Sequence, residues 1–245
     1  MPRWLHALLI AFAVSSGLEA AKAAAALVES PWLISRQGWR LVDAQGQPVT
    51  LRNNPQARDV PFQQVLAFVQ SNQVNQLPYR TGQFACTEFA VALHNAAEAA
   101  GIRCALVGVR FQRGPGHALN AFQTTDKGLV YIDCTGSPNP PADPARFDTI
   151  GYLKLGQPYG RLPLELGAIE PNRYERYTYV MGLWRWVQME SRQLKAAGMP
   201  DAPEELALSP AERAERRARL RAQLQRLQMR YDMNPSPVKT IDVWW

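Results

Sequence analysis

A chain of 245 residues with 47% hydrophobic and 20% charged residues has the apolar content to bury a full core, which excludes disordered and collagen-like classes. Its length suits one large domain, or one domain with a helical appendage. The net charge of +6 is unevenly held: from Ser209 onward eight Lys or Arg stand against four acids, a balance that suits an acidic surface.

The first segment differs from the rest. Met1-Pro2-Arg3 precedes a mostly apolar run from Trp4 to Val14, and small residues follow, ending Ala21-Lys22-Ala23. A basic start, a short apolar core and an A-x-A exit predict a signal peptide over residues 1–23. The run of about eleven apolar residues is too short to cross ~30 Å of hydrocarbon at ~1.5 Å per residue. No later segment is apolar for long enough either. The expectation is a periplasmic or secreted chain with no stable membrane span after cleavage. Export also argues against a nucleic-acid partner, which a basic face alone would weakly suggest.

Trp39 to Leu51 alternates around Gly46-Gln47-Pro48, which predicts a short hairpin. Phe62, Val65, Leu66 and Val69 form the stripe of a helix from Pro61 to Asn72, with Asp59 just ahead of it. A second helix is predicted from Cys86 to Ala100, with Phe89, Leu93, Ala96, Ala97 and Ala100 on one face and Gly101 just past its end. The apolar run from Ile102 to Phe111 reads as a buried strand. Gly114-Pro115-Gly116 breaks it, His117 to Thr124 is the next strand, and Leu129 to Cys134 returns after a turn at Asp126-Lys127-Gly128. Asp126 is read as a turn former.

Ser137 to Pro144 is a proline-rich loop, and two short strand-like runs follow around Gly156 and Gly160. From Pro171 to Gly198 the pattern is helical, and its stripe of Tyr174, Tyr177, Met181, Trp184, Val187 and Leu194 reads as core. Ser209-Pro210-Ala211-Glu212 is a capping box opening a last helix. Leu220, Leu224, Leu227 and Tyr231 line that helix for packing on the parent domain.

Of the three cysteines, Cys86, Cys104 and Cys134, none lies in a C-x-x-C pair. Cys104 and Cys134 fall on strands two apart, ~9.5 Å, too far for a disulfide, so all three are expected unbridged. Cys86 opens a helix, and a thiol becomes a strong nucleophile only when its thiolate is stabilised. A helix amino terminus supplies at most ~2 kcal/mol, about one pKa unit or a little more. A nearby imidazolium must supply the rest. His94 sits eight residues along the same helix, ~12 Å of rise and ~80° around it, out of reach and read as a satisfied helix residue. His117, at the lip of the sheet, remains. Asp133 falls opposite Leu119 or Asn120; with Leu119 opposite, it shares a face with His117 and orients the imidazole, whereas a one-residue slip turns it away.

The run from Phe84 to Pro138, with "CTEFAVALHNAAEAAGIRCALVGVRF", "GHALNAF" and "GLVYIDCTG", resembles the transglutaminase-like superfamily, related to papain-type cysteine peptidases. The resemblance covers the central quarter of the chain, with Val60 to Tyr79 matching more loosely. It implies an α+β fold in which a nucleophile helix packs on an antiparallel sheet. The domain then spans residues 24–168, with a helical C-terminal extension over residues 169–245. It also implies a catalytic triad of Cys86, His117 and Asp133. Leu119 stands where that family often has an aromatic, and the glycine often found near the nucleophile is absent from Gln83-Phe84-Ala85. Oxyanion donors are the Cys86 backbone N–H with Gln83 or Tyr79 as side-chain partner.

The expected activity is acyl transfer through a thioester on a peptide or protein amide substrate, with water or an amine as acceptor. The competing expectation is a non-catalytic peptide- or wall-binding module that docks through the final helix and Trp244-Trp245. A zinc site from Cys104, His117, Asp133 and Cys134 is disfavoured, because adjacent strand residues point to opposite faces. No metal or other cofactor is expected. The pattern leaves the oligomeric state open.

Overall fold

The computed structural model describes residues 27–31, 33–136, 148–193, 208–216, 218, 219, 222 and 236–245. The expected signal peptide lies outside them, as do the proline-rich loop and most of the last helix. A short ribbon comes first: β1 (Val28–Pro31) pairs antiparallel with β2 (Thr50–Asn53). The expected turn at Gly46 is closed by a bridge between Val42 and Pro48.

Helix α1 (Phe62–Ser71) buries Phe62, Val65, Leu66 and Val69, the stripe read from the sequence. Its first turn is capped from a distance, since the Phe62 N–H donates to Asp126 Oδ1 at 2.7 Å. Asp126 is therefore a helix cap as well as a turn residue, which satisfies one amide that no neighbour in sequence reaches. Asp59 instead pairs with Arg103. Helix α2 (Cys86–Ala99) buries Phe89, Ala90, Leu93, His94 and Ala97, and Gly101 ends it at a φ of 77°. That left-handed conformation strains any side chain, which is why glycine stands there.

Six strands form the main sheet in the order β7-β6-β5-β4-β3-β8, every neighbour antiparallel. They are β3 (Ala105–Phe111), β4 (His117–Thr124), β5 (Gly128–Asp133), β6 (Thr149–Tyr152), β7 (Gly160–Pro163) and β8 (Val238–Trp244). Between β7 and β8 lie the single-turn α3 (Leu164–Gly167) and the long α4 (Tyr174–Gln193). Ser209 and Glu212 form the predicted capping box, with the Ser209 N–H donating to Glu212 Oε2 at 2.8 Å and the Glu212 N–H donating to Ser209 Oγ at 3.3 Å.

The two faces of the sheet bury different cores. On one face Phe122, Val130, Ile132, Ile150 and Leu162 pack against α1 and α2, with Tyr174, Tyr177, Met181 and Trp184 of α4 packed alongside. The other face gathers Val107, Val109, Leu119, Ala121 and Tyr159. That second core is closed by curvature, because the β6–β7 connection reaches β8. Leu155 bridges Val238, Pro158 bridges Pro237, and the Gly156 N–H donates to the Val238 carbonyl at 2.9 Å. The interior is tight enough that a Cβ on Gly151 would sit 2.9 Å from Leu119 Cδ1. Among the described residues no helix is long and apolar enough to cross a membrane.

The α+β transglutaminase-like or papain-like class with a C-terminal helical extension, expected from the sequence, is corrected here. The architecture is sheet-dominated, a six-stranded antiparallel sheet and a two-stranded ribbon with few helices. The chain's last segment is also a strand of the main sheet rather than helix. The physical reason lies in Val238, Ile241 and Val243: they line the strand that covers the otherwise unpaired edge of β3, and an open edge is a liability. Continuity with the preceding arginine-rich helical pattern hid that alternation.

Trp244 is part of this closure. Its ring meets Trp39 edge-on at 5.8 Å, and its Nε1–H donates to the Ile34 carbonyl at 3.0 Å. Gly108 makes room for both indoles, since a Cβ there would lie 2.9 Å from Trp244 and 3.0 Å from Trp39. Trp244 is thus engaged within the fold rather than presented for docking. Trp244→Ala should destabilise the protein by about 3 kcal/mol, the range for removing a large aromatic from packing, read as a lowered thermal midpoint.

Candidate active site

The sulfur, the imidazole and the carboxylate come from three elements that meet at one rim of the sheet. Cys86 is the first residue of α2, whose amino terminus has Ala85 as a cap without a side-chain acceptor. Glu88 takes over part of that task, its Oε2 accepting the Ala85 N–H at 2.7 Å. Helix α2 is pinned to the sheet by the fully buried Asn120, whose Nδ2 donates to the Ala90 carbonyl at 2.8 Å and to the Ala105 carbonyl at 3.3 Å. His117 opens β4 opposite Val109. Gly116 beside it permits close approach, for a Cβ there would lie 2.8 Å from the Val109 carbonyl oxygen.

The register of β4 and β5 decides the third member. Asn120 pairs with Ile132, which sets Asp133 opposite Leu119 and on the His117 face. His117 Nε2 then bonds Asp133 Oδ2 at 2.8 Å. Nδ1 is left as the ring nitrogen not engaged by Asp133, and His117 lines one cavity together with Cys86. The helix and the imidazole approach from different faces of the sheet and meet beyond its end.

Tyr159 and Arg161, which the sequence did not single out, complete the site together with the Thr135 backbone. Tyr159 O–H donates to Asp133 Oδ2 at 2.8 Å, and Arg161 Nη1 donates to the same oxygen at 2.9 Å. The Thr135 N–H donates to Oδ1 at 2.9 Å. Asp133 has no exposure and Arg161 is 7% exposed. Charges buried this deeply persist only when paired and hydrogen-bonded. Within the cluster the Arg161 guanidinium and the His117 ring both lie against the same Asp133 oxygen, at 2.9 and 2.8 Å. Asp148, buried nearby with Asn75 Nδ2 donating to its Oδ2 at 2.7 Å, is pushed well above the usual carboxylate range by burial.

The proton equilibria follow from these contacts. Burial alone would raise the Asp133 carboxyl, but the charges of Arg161 and His117 and their hydrogen bonds drive it far below its ordinary value. Burial would lower His117, yet the charge and hydrogen bond of Asp133, joined by Cys86, carry it up to about 9. Burial would raise the Cys86 thiol; the hydrogen bond and charge of His117 and the backbone amide of Ala118 outweigh that and lower it. Both shifts run toward the thiolate–imidazolium form of the couple. His94, by contrast, is fully buried in α2, bonded through Nε2 to Asn53 Oδ1 at 2.9 Å and pushed down to about 4 by desolvation. It is a neutral core residue.

Cys86 and His117 border a cavity of about 420 Å³. The oxyanion candidates differ in placement. Tyr79 stacks on Phe89, and the charge of Cys86 is among the causes that raise its phenol, after burial. Gln83 is exposed, and its carbonyl accepts from Gln45 Nε2 at 2.8 Å. Cys104 and Cys134 are buried away from the cavity, and all three cysteines are unbridged. Among the described residues no group of three or more His, Cys, Asp or Glu is arranged to hold a metal ion.

No protein-family model and no curated protein matches the chain. Among solved structures, a Polyporus squamosus lectin, crystallised with a human-type influenza-binding epitope, shows 15% identity over 41% of this chain and 50% of that one. Its TM-score of 0.28 carries no argument about fold or function. This chain spans about half the length of that lectin.

Two outcomes test the electrostatics. Arg161→Met should destabilise the protein by roughly 3–5 kcal/mol, the range for stranding one charge of a buried pair, as read from the denaturant midpoint. Because the folded pKa of His117 is raised, its contribution to stability is full below ~6.5 and is lost as pH rises through the folded value. In Cys86→Ala, where the thiol no longer titrates, unfolding free energy should fall from neutral into alkaline pH. Adding His117→Gln should flatten that slope.

Proposed function

We propose that the protein is a thiol-dependent acyl-transfer enzyme acting on an amide or peptide carbonyl, with Cys86 as nucleophile, His117 as acid and base, and Asp133 as the orienting carboxylate. The observation that carries this reading is the His117 imidazole, held at 2.8 Å by a buried Asp133 and lining one cavity with Cys86 at the start of its helix. The sequence motifs from Phe84 to Pro138 that resemble the transglutaminase-like superfamily point to the same chemistry. A purely structural cysteine needs neither a raised imidazole nor an open cavity beside it.

In the first half-reaction the Cys86 thiolate attacks the carbonyl carbon, and a carbon–sulfur bond forms as the carbonyl electrons move to oxygen. The Cys86 backbone N–H, with the Tyr79 hydroxyl as side-chain partner, would receive that oxyanion. His117 gives its Nδ1 proton to the amide nitrogen, the carbon–nitrogen bond breaks, and the amine leaves a thioester behind. In the second half-reaction His117 takes a proton from the acceptor, water or a second amine. The acceptor attacks the thioester, and the thiolate departs to rejoin the imidazolium. Asp133 holds the ring throughout without being protonated. The basic, apolar, small-residue order of residues 1–23 supports a periplasmic or exported setting for this activity.

Alkylation by iodoacetamide at mildly acid pH should fall on Cys86 far faster than on Cys104 or Cys134, and Cys86→Ala should abolish it. Equal slow labelling of the three would refute activation. His117→Ala should cut turnover of an amide substrate by about 10²–10⁴-fold, and Tyr79→Phe should lower kcat more than it raises KM.

A further inference from the structure

The cavity beside Cys86 and His117 is chemically uneven. Trp39, Leu41 and Val109 give it an apolar wall, and Thr87 and Arg110 add a hydroxyl and a cation. No acidic side chain lines it. Arg110 follows Val109, the strand partner of His117, so the cation is held one residue beyond the imidazole on the neighbouring strand. Its guanidinium lies over the Trp39 ring, 5.5 Å from the centroid. Trp39 in turn is fixed by Trp244 across Gly108. Arg110 is exposed, and among the described residues it belongs to no ion pair.

Cation–π attraction holds the guanidinium over the indole face, and its fork of N–H donors matches a planar anion. Outside the Cys86–His117 pair, Arg110 is the one charged side chain among the described residues lining the cavity. We infer that Arg110 and Trp39 form an anion subsite, and that the amide donor carries a carboxylate a few atoms from the bond Cys86 attacks. The carboxylate sits on Arg110, and the carbon chain between it and the scissile carbonyl lies along Trp39 and Leu41. A cationic donor is repelled at the same place. This rests on the acyl-transfer reading of Cys86 and adds the substrate class to it.

The test uses alkylating reagents that differ in charge, applied to the full chain, with Cys86 modification counted by mass. Iodoacetamide measures thiolate reactivity and serves as the reference; the ratio of iodoacetate to iodoacetamide rates measures the anion subsite. The expected result is a ratio about two- to fivefold higher in the unmodified protein than in Arg110→Gln, the scale of one exposed charge pair. Arg110→Lys should keep part of that preference, Arg110→Glu should reverse it, and added salt should shrink it. Two further reagents separate a side-chain carboxylate from a terminal one: iodoacetyl-glutamate amide and iodoacetyl-glutamine, each against neutral iodoacetyl-glutamine amide. Whichever acid outpaces the neutral reagent in an Arg110-dependent way names the source. A ratio that is the same in all four proteins overturns the subsite. Iodoacetamide labelling of Cys86 no faster than that of a free model thiol overturns the enzyme reading instead.

Discussion

A carboxylate with no exposure to water has to find all of its compensation within hydrogen-bond reach, and Asp133 is where this fold meets that demand. Its two oxygens accept from His117, Tyr159, Arg161 and the Thr135 backbone. Those donors come from the start of β4, the approach to β7, β7 itself and the residue pair after β5. None of them is in place unless the sheet has its observed order and register. Conversely, once the strands are paired, the carboxylate cannot leave without stranding a guanidinium. The orientation of one imidazole is thereby tied to the pairing of four strands.

The sulfur reaches that imidazole by a different route. Helix α2 packs on the face of the sheet opposite to His117, so the two side chains share one cavity only because the helix begins, and the strand begins, at the same rim. Asn120 sets the position of the helix along the sheet through the Ala90 carbonyl. Glu98 secures its far end, accepting the Cys104 and Asn54 amides at 2.7 and 2.8 Å. Both are buried polar residues whose bonds would be lost by a sliding helix. The cavity wall has a third support in β8, which brings Trp244 against Trp39.

Much of this was legible in the chain. The stripe of α1 is the one seen at helical spacing; in α2 Phe89, Leu93 and Ala97 are buried but Ala100 is exposed, and in α4 Tyr174, Tyr177, Met181 and Trp184 pack on the core while Val187 and Leu194 lie outside the described side chains. The β4–β5 hairpin turns where Asp126-Lys127-Gly128 places it. Its register is the one of two that sets Asp133 beside His117. Local patterns were readable because each is enforced within a few residues. Arg161 and Tyr159 gave no such signal: an arginine between glycine and leucine looks like any exposed strand residue, and only a carboxylate 28 residues earlier explains its burial. Asp126 was read as a turn residue because its second role, capping α1, lies 64 residues away. The strand character of residues 238–244 was masked by the arginine-rich helical pattern before them.

By itself the sequence determined helix or strand for the segments from Phe62 to Asp133, that Cys86 heads a helix, and that His117 and Asp133 lie on adjoining strands. Hydrophobic periodicity, turn chemistry and the arithmetic of rise per residue are local and need no fold. Only the tertiary structure decided that the last strand closes the sheet against β3, that the sheet curls until its β6–β7 connection touches β8, and that a guanidinium neutralises Asp133. Those outcomes depend on pairing between distant segments, and a pairing energy is invisible until both partners are in place.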